Sequence, residues 1–145
     1  MIVDKHEQTI MKLLHTASNM AIRTLDRRLK PLGVNSSQYF FILKLHDTPG
    51  VTQDQLVRAD SRHQSNVNRE ITRLVALGLV AKQQSATDGR RYELTLTAAG
   101  EALYPQVKAA LDAQEAMLSQ CLSAADGRVS KKDLLAVLHW IAQKA

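Results

Sequence analysis

The sequence has few of the residues that build enzyme and metal sites. A single cysteine, Cys121, excludes an intrachain disulfide and every metal motif built on paired cysteines. The chain contains no nucleophile elbow, no phosphate-binding glycine loop and no HExxH motif. His6 and His15 would point to opposite faces of one helix, and the other three histidines fall on separate predicted elements. We therefore expect a protein that is not an enzyme and holds no metal or cofactor.

Aromatic residues and long apolar runs are also scarce. Phe, Trp and Tyr make up 4% of the chain, which argues against binding of single-stranded nucleic acid through base stacking. No apolar run is long enough to span a bilayer, and charges interrupt residues 1–14, so neither a membrane span nor a signal peptide is predicted. We expect a cytoplasmic protein with no membrane contact.

The chain is better supplied with core residues and positive charge. Hydrophobic residues form 45% of the 145 positions, which suffices for the core of one domain. The 19 Lys and Arg exceed the 14 Asp and Glu, so the formal net charge is +5 at pH 7. This excess favours a polyanionic partner.

Residues 51–97 are typical of two short helices followed by a hairpin wing, and the second helix has two distinct sides. At about 100° per residue, Val67, Ile71 and Leu74 cluster on one side, and Glu70 lies off to the side. The opposite side carries hydrogen-bonding groups and no acid: Arg62, Ser65, Asn66, Arg69 and Arg73. Arg and Asn make bidentate bonds to guanine and adenine edges, so this side suits a major groove. A merely solvated basic face is the alternative.

The wing is predicted from the residues that follow this helix. Gly78 ends the helix, residues 79–82 begin a strand, and residues 91–97 return with Tyr92, Leu94 and Leu96 on the packed face. The polar connection contains Asp-Gly and ends in Arg90 and Arg91. An arginine at a wing tip can enter the minor groove, where negative potential is concentrated. An ordinary exposed turn is the alternative.

Apolar helices are predicted on both sides of this region. The first carries Ile10, Leu13, Leu14, Ala17, Met20 and Ala21 at helical spacing. A long helix capped by Thr97 carries Leu103, Val107, Leu111, Leu118 and Cys121 or Leu122 and contains Pro105, which should bend it. A last helix begins at Ser130, with Asp133 completing a capping-box variant, and carries Leu134, Val137, Leu138 and Ile141. Burial between two chains is the simplest way to cover these faces, and an intramolecular cap is the alternative.

Four passages together resemble the MarR family of winged-helix transcriptional regulators. Residues 25–45 are similar to the family's passage into its second helix, residues 51–59 to the first helix of its helix-turn-helix, and residues 65–80 to its recognition helix and first wing strand. Residues 87–103 match the most specific signature, Asp-x-Arg followed by Leu-Thr and Gly. His63 and Gln64 depart from the family's pattern in the turn before the recognition helix.

The resemblance implies a mainly α fold with a small two- to three-stranded β wing. It further implies one domain over 1–145, in which residues 35–97 form the winged helix-turn-helix lobe and residues 1–34 and 98–145 form dimerisation helices. The expected partners are double-stranded DNA with a pseudo-palindromic operator and a second copy of the chain, and the expected function is a repressor relieved by a small effector.

The expected DNA contacts combine the helix pattern with the resemblance. Ser65, Asn66 and Arg69 are expected at base edges, and Arg90, braced by Asp88, in the minor groove. Phosphates are expected at Ser36, Ser37, Arg62 and Arg73. The remaining expected DNA contacts are Gln64, Asn68 and Arg91.

The resemblance also implies a crevice for a small amphipathic or aromatic effector, with His15, Tyr39 and Phe40 as its neighbours. Other forms of regulation and other partners stay open: control by oxidation of Cys121 or by a metal, a constitutive DNA binder without a ligand, and a protein-interaction module without DNA. Cys121 follows Met117 and Leu118 on an apolar stripe, so packing is the expected role of this thiol.

Overall fold

A computed structural model describes residues 9–59 and 64–144 of the chain. They form six α-helices and three strands with two short 3₁₀ turns: α1 Ile10–Leu29, a 3₁₀ turn Lys30–Leu32, α2 Tyr39–Asp47, β1 Val51–Thr52, α3 Gln53–Ala59, α4 Gln64–Ala76, β2 Val80–Gln84, β3 Tyr92–Leu96, α5 Ala98–Cys121, a 3₁₀ turn Leu122–Ala125 and α6 Lys131–Ala142. The predicted order of helices and wing strands is confirmed. The chain divides into two compact units, with the boundary between Ala110 and Leu111.

The core of the first unit draws on helices outside the winged helix-turn-helix as well as on it. Its buried apolar residues are Leu25, Leu29, Val34, Phe41, Ile42, Leu45, Val51, Leu56, Val67, Ile71, Leu74, Val80, Leu94 and Val107. Leu25 and Leu29 belong to the last turns of α1, and Val107 belongs to α5. The lobe that carries α4 is therefore stabilised partly by the ends of helices that were assigned to dimerisation.

The wing is a three-stranded antiparallel sheet in the order β1–β3–β2. Val51 faces Leu94 across β1 and β3, and Val80 faces Leu96 across β2 and β3. Leu94 is buried as predicted, but the expected packing of Tyr92 is wrong, since Tyr92 is 45% exposed. Tyr92 pairs with Gln84 at the far end of the hairpin, beyond the reach of the core, and its ring contacts the Lys82 ammonium.

Gly78 and Thr97 join the wing to α4 and α5. Gly78 adopts φ 75°, the left-handed conformation that the sequence predicted at this helix end, and the chain turns there into β2. The Thr97 hydroxyl donates to the Gly78 carbonyl at 2.6 Å and accepts from the Gly100 N–H at 3.1 Å. Thr97 therefore caps α5, as predicted, and ties that cap to the end of α4.

The start of α5 also contacts α2. The His46 Nδ1 lies 2.7 Å from the Glu101 Oε2, and the His46 ring stacks on Tyr104 with 3.5 Å between centroids and 8° between planes. The helix then continues through Pro105 to Cys121. These contacts fix the first turns of α5 on the lobe.

In the second unit, Ser130 caps α6. Its Oγ accepts from the Asp133 N–H at 3.0 Å, which confirms the predicted cap, and donates to the Asp133 carboxylate at 2.8 Å, so the two side chains are linked through the hydroxyl group. No residue of α6 is buried, and several large apolar side chains are open: Leu134, Leu135, Val137, Leu138, Trp140 and Ile141. Within residues 9–59 and 64–144, no helix combines the length and apolarity that a membrane crossing requires.

We expect Gly100→Ala to destabilise the lobe. A Cβ at this position of α5 would collide with the Leu79 carbonyl oxygen and lie 3.2 Å from the Leu96 Cβ. The collision should outweigh the helix propensity gained and lower the free energy of unfolding by about 2 kcal/mol. Urea unfolding followed by circular dichroism measures this change.

Gly89→Ala is the matched control for this substitution. Its Cβ would meet only the flexible end of Gln84, at 3.2 Å, so we expect a change within about 0.5 kcal/mol. Equal stability of the Gly100 and Gly89 variants would contradict the proposed close approach of α5 to Leu79.

Candidate nucleic-acid interface

Helix α4 is anchored on one side and open on the other. Val67 and Leu74 are fully buried and Ile71 is 2% exposed, which confirms the predicted core side. On the opposite side, Arg69 and Arg73 hold their side chains 58% and 57% exposed. Ser65 is exposed and Asn66 half-buried on the same helix, whereas Arg62 lies outside the described residues. The structure therefore presents two guanidinium groups beside short polar side chains.

The side chains on this open side contact one another and Glu70. Arg69 Nη2 donates to Asn66 Oδ1 at 3.0 Å, and Arg73 Nη1 donates to Glu70 Oε1 at 3.1 Å. Arg69 Nε lies 3.5 Å from the same carboxylate oxygen. Charge-assisted bonds of this kind restrain the guanidinium planes, and a restrained plane suits bidentate recognition of a base edge.

Glu70 was predicted to lie at the flank of α4, and this prediction is wrong. Its side chain is 2% exposed, so it belongs to the buried side of α4 and not to the flank. The angular signal was present, because position 70 lies about 40° from Leu74 and about 60° from Arg73. The wheel could not show that the amide of Gln38, 32 positions earlier, donates to Glu70 Oε2 at 3.1 Å.

The beginning of α4 and the end of the wing share a polar notch. Its walls are Thr52, Gln53, Asp54, Gln64, Asn68, Arg90, Arg91 and Tyr92. Gln53 donates a side-chain hydrogen bond to Asn68, which links α3 to α4. The notch thus brings together four of the predicted DNA contacts from separate parts of the sequence. Gln64 and Asn68 lie on the helix, and Arg90 and Arg91 lie on the wing.

Asp88 organises the wing turn differently from the expected brace. Its Oδ1 accepts from the backbone N–H of Arg90 at 3.1 Å, whereas its Oδ2 lies 3.4 Å from Nε of Arg91. The carboxylate therefore holds Arg90 through the main chain and pairs with the guanidinium of Arg91. The wing signature alone could not distinguish these two ways of positioning an arginine.

Ser36 and Ser37 lie in the turn before α2 and are both half-buried. The N–H of Ser36 donates to Asp26 Oδ1 of α1 at 2.7 Å, and the N–H of Ser37 donates to Asn35 Oδ1 at 2.9 Å. Their backbone donors are thus used inside the protein, and a phosphate contact at this turn would have to use the hydroxyl groups.

The residues expected near an effector occupy two different environments. His15 is exposed on α1, where its Nε2 lies 3.0 Å from Asn19 Nδ2. Tyr39 and Phe40 are half-buried at the start of α2 and pack against the lobe's core, and Phe40 makes an edge contact with Phe41. The two aromatic residues are thus part of the lobe's own packing.

Two further expectations concern the thiol and metals. Cys121 is exposed at the end of α5 and its Sγ lies 3.5 Å from the Met117 carbonyl, so the expected packing of this side chain is wrong for the single chain. Among residues 9–59 and 64–144, no group of three His, Cys, Asp or Glu side chains is placed to hold a metal ion.

These elements define a winged helix-turn-helix module, in which α3 and α4 form the helix-turn-helix and β2 and β3 the wing. Comparison with known proteins gives the family. Residues 32–91 match the model of the MarR family. The HTH-type transcriptional repressor Rv2887 of Mycobacterium tuberculosis is 31% identical over 122 residues, which cover 84% of this chain and 88% of that protein. The chain belongs to the MarR family of transcriptional regulators.

Solved structures confirm the fold. The transcriptional repressor CouR, bound to a 23-mer DNA duplex, has a TM-score of 0.84 at 21% identity and covers 98% of this chain and 99% of its own. The MepR–DNA complex of S. aureus has a TM-score of 0.80 at 21% identity, with coverage of 94% and 98%. BpsR of Bordetella bronchiseptica has a TM-score of 0.78 at 18% identity, with coverage of 99% and 97%.

The geometry of the wing turn predicts the effect of Ser85→Ala. The Ser85 Oγ accepts from the N–H of Thr87 at 3.3 Å and of Asp88 at 3.4 Å, and Ser85 itself is 9% exposed. Loss of the hydroxyl should cost about 1 kcal/mol of stability and speed amide hydrogen exchange at Thr87 and Asp88. Ser123→Ala, at an exposed position of the second unit, is the control. Unchanged exchange in the wing turn would contradict this role of Ser85.

Proposed function

We propose that the chain is a sequence-specific, double-stranded-DNA-binding repressor that acts as a homodimer. The observation that carries the proposal is the open side of α4, where the Arg69 guanidinium donates to Asn66 and the Arg73 guanidinium donates to Glu70. Pre-oriented Arg and Asn side chains suit the donor and acceptor pattern of the major groove. The notch that joins Arg90 and Arg91 to the start of α4 gives the wing a place on the same duplex.

The proposed contacts combine the helix pattern with the exposure of the described side chains, and Arg62, which lies outside the described residues, is assigned by the helix pattern alone. Ser65, Asn66 and Arg69 would meet base edges, and Arg73 would contact the flanking phosphates with Arg62, Ser36 and Ser37. Arg90, whose main-chain N–H bonds to Asp88, would enter the minor groove. Arg91 would lie beside the DNA backbone, paired with the Asp88 carboxylate.

The homodimer is proposed from the apolar surfaces that a single chain leaves open. On α6, Trp140 is 66% and Val137 56% exposed, and on α1, Ile10 and Met20 are 76% and 57% exposed. Surfaces of this kind, contiguous along a helix, are typical of contact sites between proteins. A two-fold dimer would place two copies of α4 about one helical turn of DNA apart, roughly 34 to 36 Å, and would require a pseudo-palindromic operator.

Repression and its relief are proposed from the relatives. Rv2887 is described as a transcriptional repressor, and DNA binding by BpsR is described as regulated by 6-hydroxynicotinic acid. A small aromatic acid of this class, bound near His15, Tyr39 and Phe40, would release DNA only through a higher affinity for the conformation that does not bind the operator. A DNA partner would place the protein in the cytoplasm.

The test is fluorescence anisotropy of the purified protein on the duplex upstream of its own gene, with unrelated DNA and a salt series alongside. We expect tight binding to the upstream duplex, weaker binding to the unrelated one, and affinity that falls steeply with salt. If both duplexes bind equally weakly, a selection from random duplexes follows. Recovery of no preferred sequence would refute sequence-specific binding.

The same assay checks the wing. Arg90→Ala should weaken operator binding by about tenfold and leave thermal melting unchanged, because the side chain lies at an exposed turn. Arg128→Ala is the charge-matched control, since Arg128 is an exposed arginine of the second unit that pairs with Asp126. Equal affinity of the Arg90 and Arg128 variants would refute the wing contact.

The dimer is checked by sedimentation equilibrium. The wild type should give twice the chain mass of 16.1 kDa, and Val137→Asp should shift the protein toward the monomer, because the new carboxylate would be buried in an apolar contact. Ser123→Asp, which adds the same charge at an exposed position outside α6, should leave the dimer intact. A wild type that sediments as a monomer at micromolar concentration would refute the dimer.

A further inference from the structure

Helix α4 contains a buried carboxylate that the proposed DNA contacts do not use. Glu70 is 2% exposed and lies between residues of the core side, with Val67 one turn before it and Leu74 one turn after it. Burial of an ionised carboxylate is costly unless the group is paired and hydrogen-bonded. An apolar residue of similar size would fit the pattern of this helix side better, so stability of the fold does not by itself account for Glu70.

The two oxygens of Glu70 bond in opposite directions. Oε2 accepts from Nε2 of Gln38 at 3.1 Å on the buried side. Oε1 accepts from Nη1 of Arg73 at 3.1 Å and lies 3.5 Å from Nε of Arg69, both on the open side of α4. The carboxylate thus connects the interior of the lobe to the two arginines that are proposed to touch DNA.

Gln38 bonds to the Glu70 carboxylate from the buried side of α4. It is 4% exposed, and its Oε1 accepts from the backbone N–H of Asn35 at 3.2 Å. The amide cannot be turned over, because the NH₂ group would then face a donor and the carbonyl oxygen would face an acceptor. The Gln38 amide therefore has one orientation, in which its NH₂ group faces the Glu70 carboxylate, and the turn before α2 is itself held by the bond from the Ser36 N–H to Asp26.

This arrangement bears on selectivity because arginine is long and flexible. An unrestrained guanidinium loses side-chain entropy when it is placed on one base edge, and it can instead pair with any phosphate within reach. A guanidinium held by a fixed carboxylate is already oriented, and part of its positive charge is offset. At Arg69, which is proposed to meet a base edge, such a restraint favours the geometrically demanding base contact. At Arg73, which is proposed to contact phosphate, the paired carboxylate offsets positive charge and weakens the contact that does not depend on sequence.

We propose that Glu70, oriented by Gln38, is a positioning residue that sets the selectivity of DNA binding through Arg69 and Arg73. This inference rests on the proposed function and adds to it two buried residues that touch no base or phosphate. Its prediction concerns the ratio of affinities for a preferred and an unrelated duplex, more than the affinity for either one.

Two variants remove the restraint in different ways. In Glu70→Gln the amide offers one acceptor in place of two, so either Gln38 or Arg73 is left facing a donor. Gln38→Met keeps the charge of the protein and removes the amide that orients the carboxylate. Glu115→Gln is the matched control, because it makes the same charge change at an exposed carboxylate that pairs with Lys131 in the second unit.

The measurement is the ratio of the dissociation constants for the unrelated duplex and for the duplex that the wild type prefers after selection from random DNA. Both are taken by anisotropy at a temperature well below the melting temperature of each variant. We expect the ratio to fall about tenfold, equivalent to about 1.4 kcal/mol, in Glu70→Gln and Gln38→Met. Affinity for the unrelated duplex should be equal or higher than in the wild type, and Glu115→Gln should keep the wild-type ratio.

Each outcome decides the inference. A Glu70→Gln ratio equal to that of Glu115→Gln overturns it while the regulator itself stands, and an unchanged ratio in Gln38→Met alone removes Gln38 from it. A wild type that prefers no duplex refutes the proposed function and this inference together. Loss of both affinities in equal proportion, at any ratio near that of the wild type, indicates a purely structural role and also overturns the inference.

A measurement on the wild type serves if neither buried variant folds. The side-chain Nε–H groups of Arg69 and Arg73 should be rigid in the free protein, with ¹⁵N relaxation close to that of the backbone of α4, whereas Arg23, exposed on α1, should be mobile. Equal mobility of all three arginine side chains overturns the inference, because no restraint would then exist to influence selectivity.

Discussion

The first unit depends on the apolar packing of one side of α4 against the core. Val67, Ile71 and Leu74 are at most 2% exposed and pack in the same core as Phe41, Leu45 and Leu56. Because this apolar contact is sufficient to seat the helix, the polar groups on the other side have no structural task in the packing of the lobe. They are available for a partner, and that availability is the physical basis of the proposed DNA contacts.

The buried pair of Gln38 and Glu70 is the exception to this separation. A polar pair inside a core costs desolvation, and among the described residues no buried side-chain nitrogen or oxygen lacks a partner, so the cost is compensated but not turned into an evident gain. The pair also supplies an acceptor for the Arg73 guanidinium and a negative charge 3.5 Å from Nε of Arg69. If the proposed DNA contacts hold, stability and recognition are coupled at this one point of the helix.

Sequence alone could predict the features that are local. The core side of α4, the left-handed Gly78 and the caps at Thr97 and Ser130 each depend on residues a few positions apart, and the structure shows all of them. Sequence alone could not predict the features that join distant positions. Gln38 and Glu70 are 32 residues apart, and the exposure of Tyr92 depends on where the core ends beneath the sheet. The proposed DNA contacts remain predictions for the same reason, because their partner is a second molecule.

The contacts at the base of the wing determine which part of the hairpin can open locally. Thr97 bonds to the Gly78 carbonyl, the Thr97 N–H donates to the Leu79 carbonyl at 3.0 Å, and Gly100 packs against that same carbonyl. Opening β2 would break these contacts and expose the cap of α5, so the strands and the first turn of the helix form one cooperative opening unit. The turn over residues 85–91 lies outside that unit. It can be remodelled, nicked by a protease or lengthened by insertion while its base stays closed.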